Sequence, residues 1–158
     1  MATAAPLSTP FVSVLMSCYN ASRWLDESIQ SVLNQSYGNF EFIIVNDGST
    51  DCTQAIIQHY ASSDDRIVMI EKANTGLADS LNVGISRARG VWIARQDADD
   101  ISDLTRLEKQ VRSAMINHNI VFLGTGLAEI DEFGHQFSTY RYPLEHSQLL
   151  NNLHTAQK

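Results

Sequence analysis

The chain has 158 residues, with 11 Lys and Arg residues against 18 Asp and Glu residues and a formal net charge of −7 at pH 7. This negative balance argues against a general nucleic-acid surface or an anionic-membrane surface. With 44% hydrophobic and 18% charged residues, the composition is that of a globular chain rather than a disordered one. We therefore expect one folded domain over residues 11–153, between a loose tail at 1–10 and a polar tail at 154–158.

The sequence predicts neither a membrane span nor a disulfide framework. No run approaches the ~20 apolar residues of a membrane helix, and the start of the chain lacks the charged and apolar regions of a signal peptide. Cys18 and Cys52 match no zinc-site spacing. Both are therefore expected as reduced thiols in a cytoplasmic protein.

Short apolar runs alternate with helical patterns through the first hundred residues. Strands are predicted at Phe11–Ser17, Phe40–Asn46, Arg66–Glu71 and Val91–Arg95. Between them, helices are predicted at Ser22–Gln35, at Asp51–Ala61 and along an apolar face formed by Leu77, Leu81, Ile85 and Ala88. This alternation predicts an α/β fold, with a mostly parallel sheet flanked by helices on both faces.

The pattern continues less regularly towards residue 158. Apolar residues at spacings of three and four predict a helix at Asp103–Asn117, and a fifth strand is expected at Ile120–Leu123. Weaker patterns predict two strands around a turn at 132–135, followed by a short helix, with the bounds Leu127–Asp131, Gln136–Tyr140 and Glu145–Leu153.

Three carboxylates fall within four residues directly after the fourth predicted strand, in the segment Arg95-Gln96-Asp97-Ala98-Asp99-Asp100. Clustered acids repel one another, and a divalent cation that prefers oxygen ligands supplies a counter-charge and can hold a diphosphate. A solvated acidic turn, or the first turn of a helix, would show the same residues. The segment alone therefore leaves both interpretations open.

Polar residues follow all four of these strands, in the segments 18–20, 46–51, 74–76 and 95–100. Taken singly, each has a structural explanation: Asn20 as a helix cap, Asp47 as turn chemistry, Gly76 as a residue with positive φ. The carboxyl ends of parallel strands meet at one edge of a sheet, however, and ligands of open α/β sheets bind there. Together the segments predict a polar pocket for a nucleotide or another polyoxygenated ligand.

The familiar phosphate-binding loops are missing from this edge. The sequence contains no Gly-x-x-x-x-Gly-Lys-Ser/Thr segment, and no Gly-x-Gly-x-x-Gly follows the first predicted strand. Phosphates therefore need another support, and a metal ion held by the acidic segment is the available candidate.

Four segments in this order resemble the inverting glycosyltransferases of family 2, which have the GT-A fold: 12–20, 45–51, 74–78 and 94–100. The resemblance covers residues 11–150, with its strongest motifs before residue 107. It implies a nucleotide-diphospho-sugar donor, typically a UDP-sugar, and a carbohydrate or lipid-linked hydroxyl acceptor. It also implies inversion at the anomeric carbon and a role in cell-surface polysaccharide or glycoconjugate synthesis. The implied location is the cytoplasm, with peripheral association at the inner membrane face and oligomerisation both left open.

The resemblance also implies roles for residues around the nucleotide. By matching position, Asp47 resembles the acid that hydrogen-bonds the base. Tyr19 and Asn20 correspond to the loop that meets the base and ribose, and Asn74 corresponds to a residue that lines the same pocket.

The acidic segment matches the family's Asp-x-Asp motif. Asp97 corresponds to its first acid, expected near the ribose and sugar, and Asp99 corresponds to the second, which coordinates Mn²⁺ or Mg²⁺ at the diphosphate. Arg95 is assigned to the nucleotide, and Asp100 to a supporting position beside the metal or at a helix start.

The family's general base, an Asp or Glu well downstream, has no convincing match. Asp131, Glu132 and Glu145 are expected to be surface acids, and His135, His146 and His154 show no metal-ligand spacing. The chain is thus expected to hold the donor-binding half, with an incomplete acceptor half. The alternative to an active transferase is a catalytically silent nucleotide-sugar-binding module. A sugar-1-phosphate nucleotidyltransferase is disfavoured because its first loop is rich in glycine and arginine, unlike Cys18-Tyr19-Asn20.

Overall fold

The computed structural model describes residues 11–141, which fall into two compact units divided after Ser113. The tails expected at 1–10 and 154–158 and the helix expected at Glu145–Leu153 lie outside the described residues. His146 and His154 lie outside them as well.

The first unit is a four-stranded, all-parallel sheet with the strand order β3-β2-β1-β4. Its strands are β1 (Val12–Cys18), β2 (Phe40–Asp47), β3 (Ile67–Lys72) and β4 (Trp92–Asp97). Its helices are α1 (Leu25–Leu33), α2 (Thr53–Ala61), α3 (Leu77–Arg87) and α4 (Arg106–Ile116), the last of which runs on into the second unit. The predicted α/β alternation is confirmed.

The core lies on the two faces of the central strands β1 and β2. Side chains alternate between the faces of a strand, so Val14 and Met16 join a cluster with residues of α1, α2 and α4, whereas Leu15 faces the opposite side. There it packs with Ile43 and Val45 against Leu81 of α3 and its neighbours. Both faces of the sheet are therefore covered, as predicted.

Helix α3 meets the sheet through smaller residues than its sequence pattern predicts. Leu77 and Ile85 are each 52% exposed, whereas Ser80 and Gly84 are buried. A Cβ atom added to Gly84 would come within 2.2 Å of Leu15 Cδ1, so the helix backbone lies very close to β1. The apolar spacing therefore predicted the helix correctly, but two of the four residues predicted on its buried face, Leu77 and Ile85, are exposed.

The strand predicted at Ile120–Leu123 is absent, and that prediction is wrong. Val121 and Phe122 are 90% and 85% exposed, and no described residue pairs with this segment. An apolar run has the composition of a strand, but a strand also needs a hydrogen-bonding neighbour. In the second unit, β5 (Leu127–Ile130) and β6 (Gln136–Tyr140) form an antiparallel pair, which confirms the hairpin prediction.

A buried carboxylate connects the amino ends of β1 and β2 with the segment that leads into β4. Glu41, at the start of β2, accepts hydrogen bonds from Ser13 Oγ (2.6 Å) and from Arg89 N (2.6 Å). Its other oxygen pairs with the Arg89 guanidinium, and Ser13 Oγ in turn accepts from Gly90 N at 2.9 Å. Burial acts to raise the pKa of Glu41, but the Ser13 and Arg89 hydrogen bonds and the Arg89 charge lower it below its ordinary value.

We predict that Glu41→Gln lowers the free energy of unfolding by about 1–3 kcal/mol near neutral pH, because charged hydrogen bonds are replaced by weaker ones. The pKa of Glu41 is lower in the folded state, so its stabilising contribution is complete above about pH 4.5 and is lost as the pH falls below that value. Urea unfolding at about pH 7 and about pH 4 measures this difference. A gap between wild type and variant that widens in acid would contradict the assignment.

We also predict that Gly90→Ala destabilises the fold by about 1–3 kcal/mol. A Cβ atom at Gly90 would come within 2.4 Å of the Ser13 backbone nitrogen, whereas nothing lies within 4 Å of a Cβ at Gly38. Gly38→Ala is therefore the matched control, expected to change stability by less than about 1 kcal/mol. Equal unfolding midpoints for the two variants would show that the close approach at Gly90 is not a real constraint.

Candidate functional site

The four predicted polar segments lie at one edge of the sheet. In the parallel register, Cys18 pairs with Asn46, Ser17 with Asp97, and Asp47 with Lys72. Each of these residues stands at the carboxyl end of its strand, so the loops after all four strands leave the sheet on the same side. The prediction that these segments share an edge is confirmed.

The first loop is tied to the second by Asn20. Its side-chain oxygen accepts a hydrogen bond from Thr50 N at 2.8 Å, and its backbone nitrogen donates to Ser49 Oγ at 3.0 Å. Asn20 adopts a positive φ of 51°, a conformation that asparagine tolerates better than most residues. Neither α1 nor α2 has a side-chain cap, so the alternative role of Asn20 as a helix cap is not observed. Tyr19, beside it, is exposed.

Asp51 and Thr53 also connect these two loops through hydrogen bonds, which the sequence did not predict. The Asp51 carboxylate accepts from Thr53 N (3.0 Å) and from Ser22 N (3.1 Å). The buried Thr53 hydroxyl accepts from Ala21 N at 2.9 Å. Hydrogen bonding with the Thr53 side chain is the main cause that holds the pKa of Asp51 well below its ordinary value, ahead of the bonds from Ser22. The first loop is thus fixed by side chains of the segment that enters α2.

Asp47 is the most deeply placed acid of this edge, with 2% of its surface exposed. One carboxylate oxygen accepts from Lys72 Nζ (2.6 Å) and Thr75 N (3.0 Å), and the other accepts from Gly76 N (2.9 Å). Burial acts to raise the pKa of Asp47, but hydrogen bonds from Lys72, Thr75 and Gly76 lower it to about 2. Asp47 therefore holds the loop after β3, and its contact with a nucleotide base stays a prediction.

The loops after β2 and β3 also touch through their backbones. Gly48 has a φ of +69°, and a Cβ atom there would come within 2.7 Å of Asn74 N. A side chain at this position would push the two loops apart, which explains why a glycine follows Asp47. Asn74 itself is exposed beside the loop that Asp47 organises. Asn74 therefore lies against Gly48, the residue after Asp47, and its place in a nucleotide pocket stays a prediction.

The acidic segment occupies the fourth loop. Asp97 is half-buried at the end of β4, and its carboxylate pairs with Arg95 Nη2 at 2.8 Å. Asp99 is exposed, and no described residue donates a hydrogen bond to its carboxylate. Burial raises the pKa of Asp100, and the charges of Asp97 and Asp99 add to this effect. Asp99 is therefore open to an added ligand, and Asp100 beside it is exposed as well.

The carboxylates fit a divalent ion that shares its ligands with a bound diphosphate. Among residues 11–141, no group of three or more His, Cys, Asp or Glu side chains is placed to hold a metal. Mg²⁺ is commonly held by one or two carboxylates together with substrate phosphates and water, rather than by a complete protein cage. Asp97 and Asp99 offer hard oxygen donors of that kind, which also suit Mn²⁺.

The acids predicted to be surface residues include Asp131, which belongs to the hairpin turn of the second unit. Its carboxylate accepts from Phe133 N (2.9 Å) and His135 N (2.8 Å) and lies 3.2 Å from His135 Nδ1. These bonds give both side chains a role in shaping the turn. Glu132 is exposed in the same turn, and Glu145 lies outside the described residues.

A family model for glycosyl transferase family 2 matches residues 13–157. The chain belongs to this family. EpsE of Bacillus subtilis (strain 168), a protein assigned as a glycosyltransferase, is 50% identical over 129 residues, 80% of this chain and 46% of its own length. The O-antigen biosynthesis glycosyltransferase WbnJ of Escherichia coli is 34% identical over 134 residues, 84% of this chain and 52% of its own length.

Solved structures agree with this family assignment. S. aureus TarS 1–349, crystallised in complex with UDP-GlcNAc, superposes with a TM-score of 0.64 and is 25% identical in sequence. The match covers 68% of this chain and 32% of the TarS chain. The predicted GT-A type of fold is confirmed by this similarity. The chain spans about half the length of the curated relatives it matches. In the described part of the chain, no helix has the length and apolar character needed to cross a membrane.

Lys72 is a site residue that the sequence patterns did not reveal. Besides Asp47, its ammonium group bonds the Ala73 carbonyl oxygen at 2.9 Å and the Thr75 hydroxyl, and lies 3.2 Å from an Asp79 oxygen. Lys72 lies at the carboxyl end of β3, in register with the buried Asp47 of β2. This position indicates an ion pair only once the pairing of the two strands is known. Lys72 therefore helps to hold the loop that carries Asn74 in place.

We predict that Lys72→Met destabilises the fold at neutral pH, because Asp47 keeps its buried charge and loses its cationic partner. The pKa of Asp47 then rises from about 2. The gap in unfolding free energy between wild type and variant is full above about pH 4 and narrows as the pH falls from 3.8 towards 2. Lys109→Met removes an exposed pair with Asp103 and is the control, with little effect expected. Equal urea midpoints for the two variants would contradict the role of Lys72.

Proposed function

We propose that this family 2 chain is the donor-binding part of a glycosyltransferase that uses a nucleotide-diphospho-sugar, most simply a UDP-sugar. One observation carries the proposal: the loops after all four parallel strands converge, with Asp99 open to solvent among them. Family membership supports it, as does the likeness to TarS, which was crystallised with UDP-GlcNAc.

The loops after β1, β2 and β3 are assigned to the nucleoside. Tyr19 and Asn20 are proposed to meet the base and ribose from the first loop. Asn74 lines the pocket from the third loop, and Asp47 belongs to the base subsite. Tyr19 and Asn74 are exposed and so accessible to a ligand, and Asn20 is held to the second loop by hydrogen bonds, which fixes the shape of the first loop before a ligand binds.

The fourth loop is assigned to the sugar and the diphosphate. Asp97 is proposed to lie near the ribose and sugar, Arg95 beside the nucleotide, and Asp99 at a Mn²⁺ or Mg²⁺ ion. When bound, this ion stabilises the negative charge that develops on the leaving diphosphate. Arg95 pairs with Asp97 at 2.8 Å, so it helps to hold that carboxylate in place, and its guanidinium is exposed and accessible to a ligand.

The proposed reaction is an inverting displacement. The acceptor hydroxyl oxygen bonds to the anomeric carbon from the face opposite the nucleotide, while the bond from that carbon to the diphosphate oxygen breaks. A base takes the hydroxyl proton, and the nucleoside diphosphate leaves with the bonding electrons. We propose a carbohydrate or lipid-linked acceptor in cell-surface polysaccharide synthesis, which the name of WbnJ supports. A cytoplasmic position at the inner membrane face fits such an acceptor.

The donor site is tested by calorimetry of UDP with and without Mn²⁺, in wild type and Asp99→Ala. We expect wild type to bind UDP more tightly when Mn²⁺ is present. Asp99→Ala should lose at least about 10-fold in affinity with Mn²⁺, since even indirect partners of a metal site commonly contribute that much. Its metal-free affinity should be unchanged.

Asp65→Ala is the matched control, because Asp65 is also exposed but lies before β3, at the opposite edge of the sheet. It should behave as wild type in both titrations. Metal-independent binding that is equal in wild type and Asp99→Ala would remove the metal role of Asp99. No UDP binding under any condition would remove the donor site altogether.

The alternative function is a nucleotide-sugar-binding module without turnover. One observation supports this alternative: the carboxylate of Asp131, an acid downstream of the acidic loop, accepts hydrogen bonds from the backbone of its own turn. Incubation with a panel of UDP-sugars separates the two. Slow release of UDP, measured by a coupled assay, favours the transferase, whereas binding without any release favours the module.

A further inference from the structure

A buried amide lies directly beneath the acidic loop. Gln96 of β4 is 3% exposed, and its Nε2 donates to the carbonyl oxygens of Asp100 (2.8 Å) and Asp97 (3.2 Å). These two carbonyls stand on either side of Asp99 in the chain. One side chain therefore fixes the backbone at both ends of the segment that carries the candidate metal acids.

The other end of that amide is held by an arginine from α4. Gln96 Oε1 accepts from Arg106 Nη1 (2.6 Å) and from Ser102 Oγ (2.6 Å), and Arg106 Nη1 also donates to Ser102 Oγ (2.8 Å). Arg106 Nη2 donates to the Arg95 carbonyl oxygen at 2.6 Å. The planar guanidinium thus reaches β4 before the acidic loop and Ser102 after it, a geometry that a single ammonium group cannot reproduce.

This network combines directional bonds with a favourable charge. Arg106 is half-buried; burial lowers its pKa, and the negative charges of Asp100 and Asp97 oppose that effect. Three carboxylates in one loop repel one another, and a fixed cation behind them reduces the tendency of the loop to open. The loop shape is therefore supported from its buried side, whereas Asp99 remains exposed on the other side.

We infer that Gln96 and Arg106 are positioning residues, which hold the loop 97–100 in the shape that presents Asp97 and Asp99 to a divalent ion and a diphosphate. This inference rests on the proposed function. Neither residue contacts the ligand; each acts through the backbone of the loop. Losses of supporting partners around metal sites commonly reduce metal affinity by about 10- to 100-fold without removing a ligand.

The experiment measures UDP affinity with and without Mn²⁺ in Arg106→Met, Arg106→Lys and Gln96→Leu. We expect the Kd for UDP in the presence of Mn²⁺ to rise about 10- to 100-fold, with the metal-free Kd nearly unchanged. Arg106→Lys should fail to rescue, because the forked contacts and not the charge alone are required. Ser102→Ala, a milder change, should shift the Kd in the same direction by a smaller factor.

A second readout needs neither metal nor nucleotide. Hydrogen exchange of the amides of residues 97–102 should be faster in Arg106→Met and Gln96→Leu than in wild type. Arg89→Met is the control, because Arg89 also pairs with a buried carboxylate but at the amino ends of the strands. It should lower stability and leave both the loop exchange and the effect of Mn²⁺ on UDP affinity as in wild type.

Several results would overturn the inference. Wild-type loop exchange in the Gln96 and Arg106 variants would do so, as would full rescue by Arg106→Lys. An equal loss of metal-free and metal-dependent affinity would show a merely structural role. In each of these cases wild type still binds UDP and Asp99→Ala still loses the effect of Mn²⁺, so the proposed function survives. A wild-type chain that binds no UDP overturns the proposed function and, with it, the purpose assigned to the two residues.

Discussion

The parallel pairing of all four strands is the constraint on which the rest of this structure depends. Because every strand of the first unit runs in the same direction, every loop that follows a strand leaves at one edge of the sheet. Polar residues that are up to about 80 positions apart in the chain, such as Asn20 and Asp99, are thereby carried to the same side. The parallel topology, more than any single contact, therefore brings the residues of the candidate site to one edge.

Each edge of the sheet contains a buried carboxylate, and the two have different surroundings. Glu41, at the amino ends, is satisfied by Ser13 and Arg89 and joins strands to one another. Asp47, at the carboxyl ends, is satisfied by Lys72 and by backbone N–H groups of the following loop. A buried charge requires such partners. The partners of Glu41 stabilise the sheet itself, whereas the partners of Asp47 stabilise the loop at the candidate site.

The sequence was sufficient for the four strands of the parallel sheet, for the edge at which they end and for the polar residues there, because apolar runs and polar strand ends are local patterns. The sequence was insufficient where contacts between distant residues decide whether a strand forms or which side chains are buried. Ile120–Leu123 has the composition of a strand but pairs with no strand among residues 11–141, and α3 approaches β1 through Gly84 while Leu77 and Ile85 stay exposed. The partnerships of Lys72 and Arg106 join residues that no spacing along the chain relates.

We propose above all that a nucleotide and a divalent ion bind at the carboxyl ends of the strands. Amide NMR spectra of the labelled chain, recorded during titration with UDP and Mn²⁺, test it most directly. We predict UDP-induced shifts at Tyr19, Gly48 and Asn74 and paramagnetic broadening centred on Asp99, with the amides of Ser13 and Gly90 unaffected. Shifts centred on Ser13 and Gly90, or broadening remote from Asp99, would contradict it.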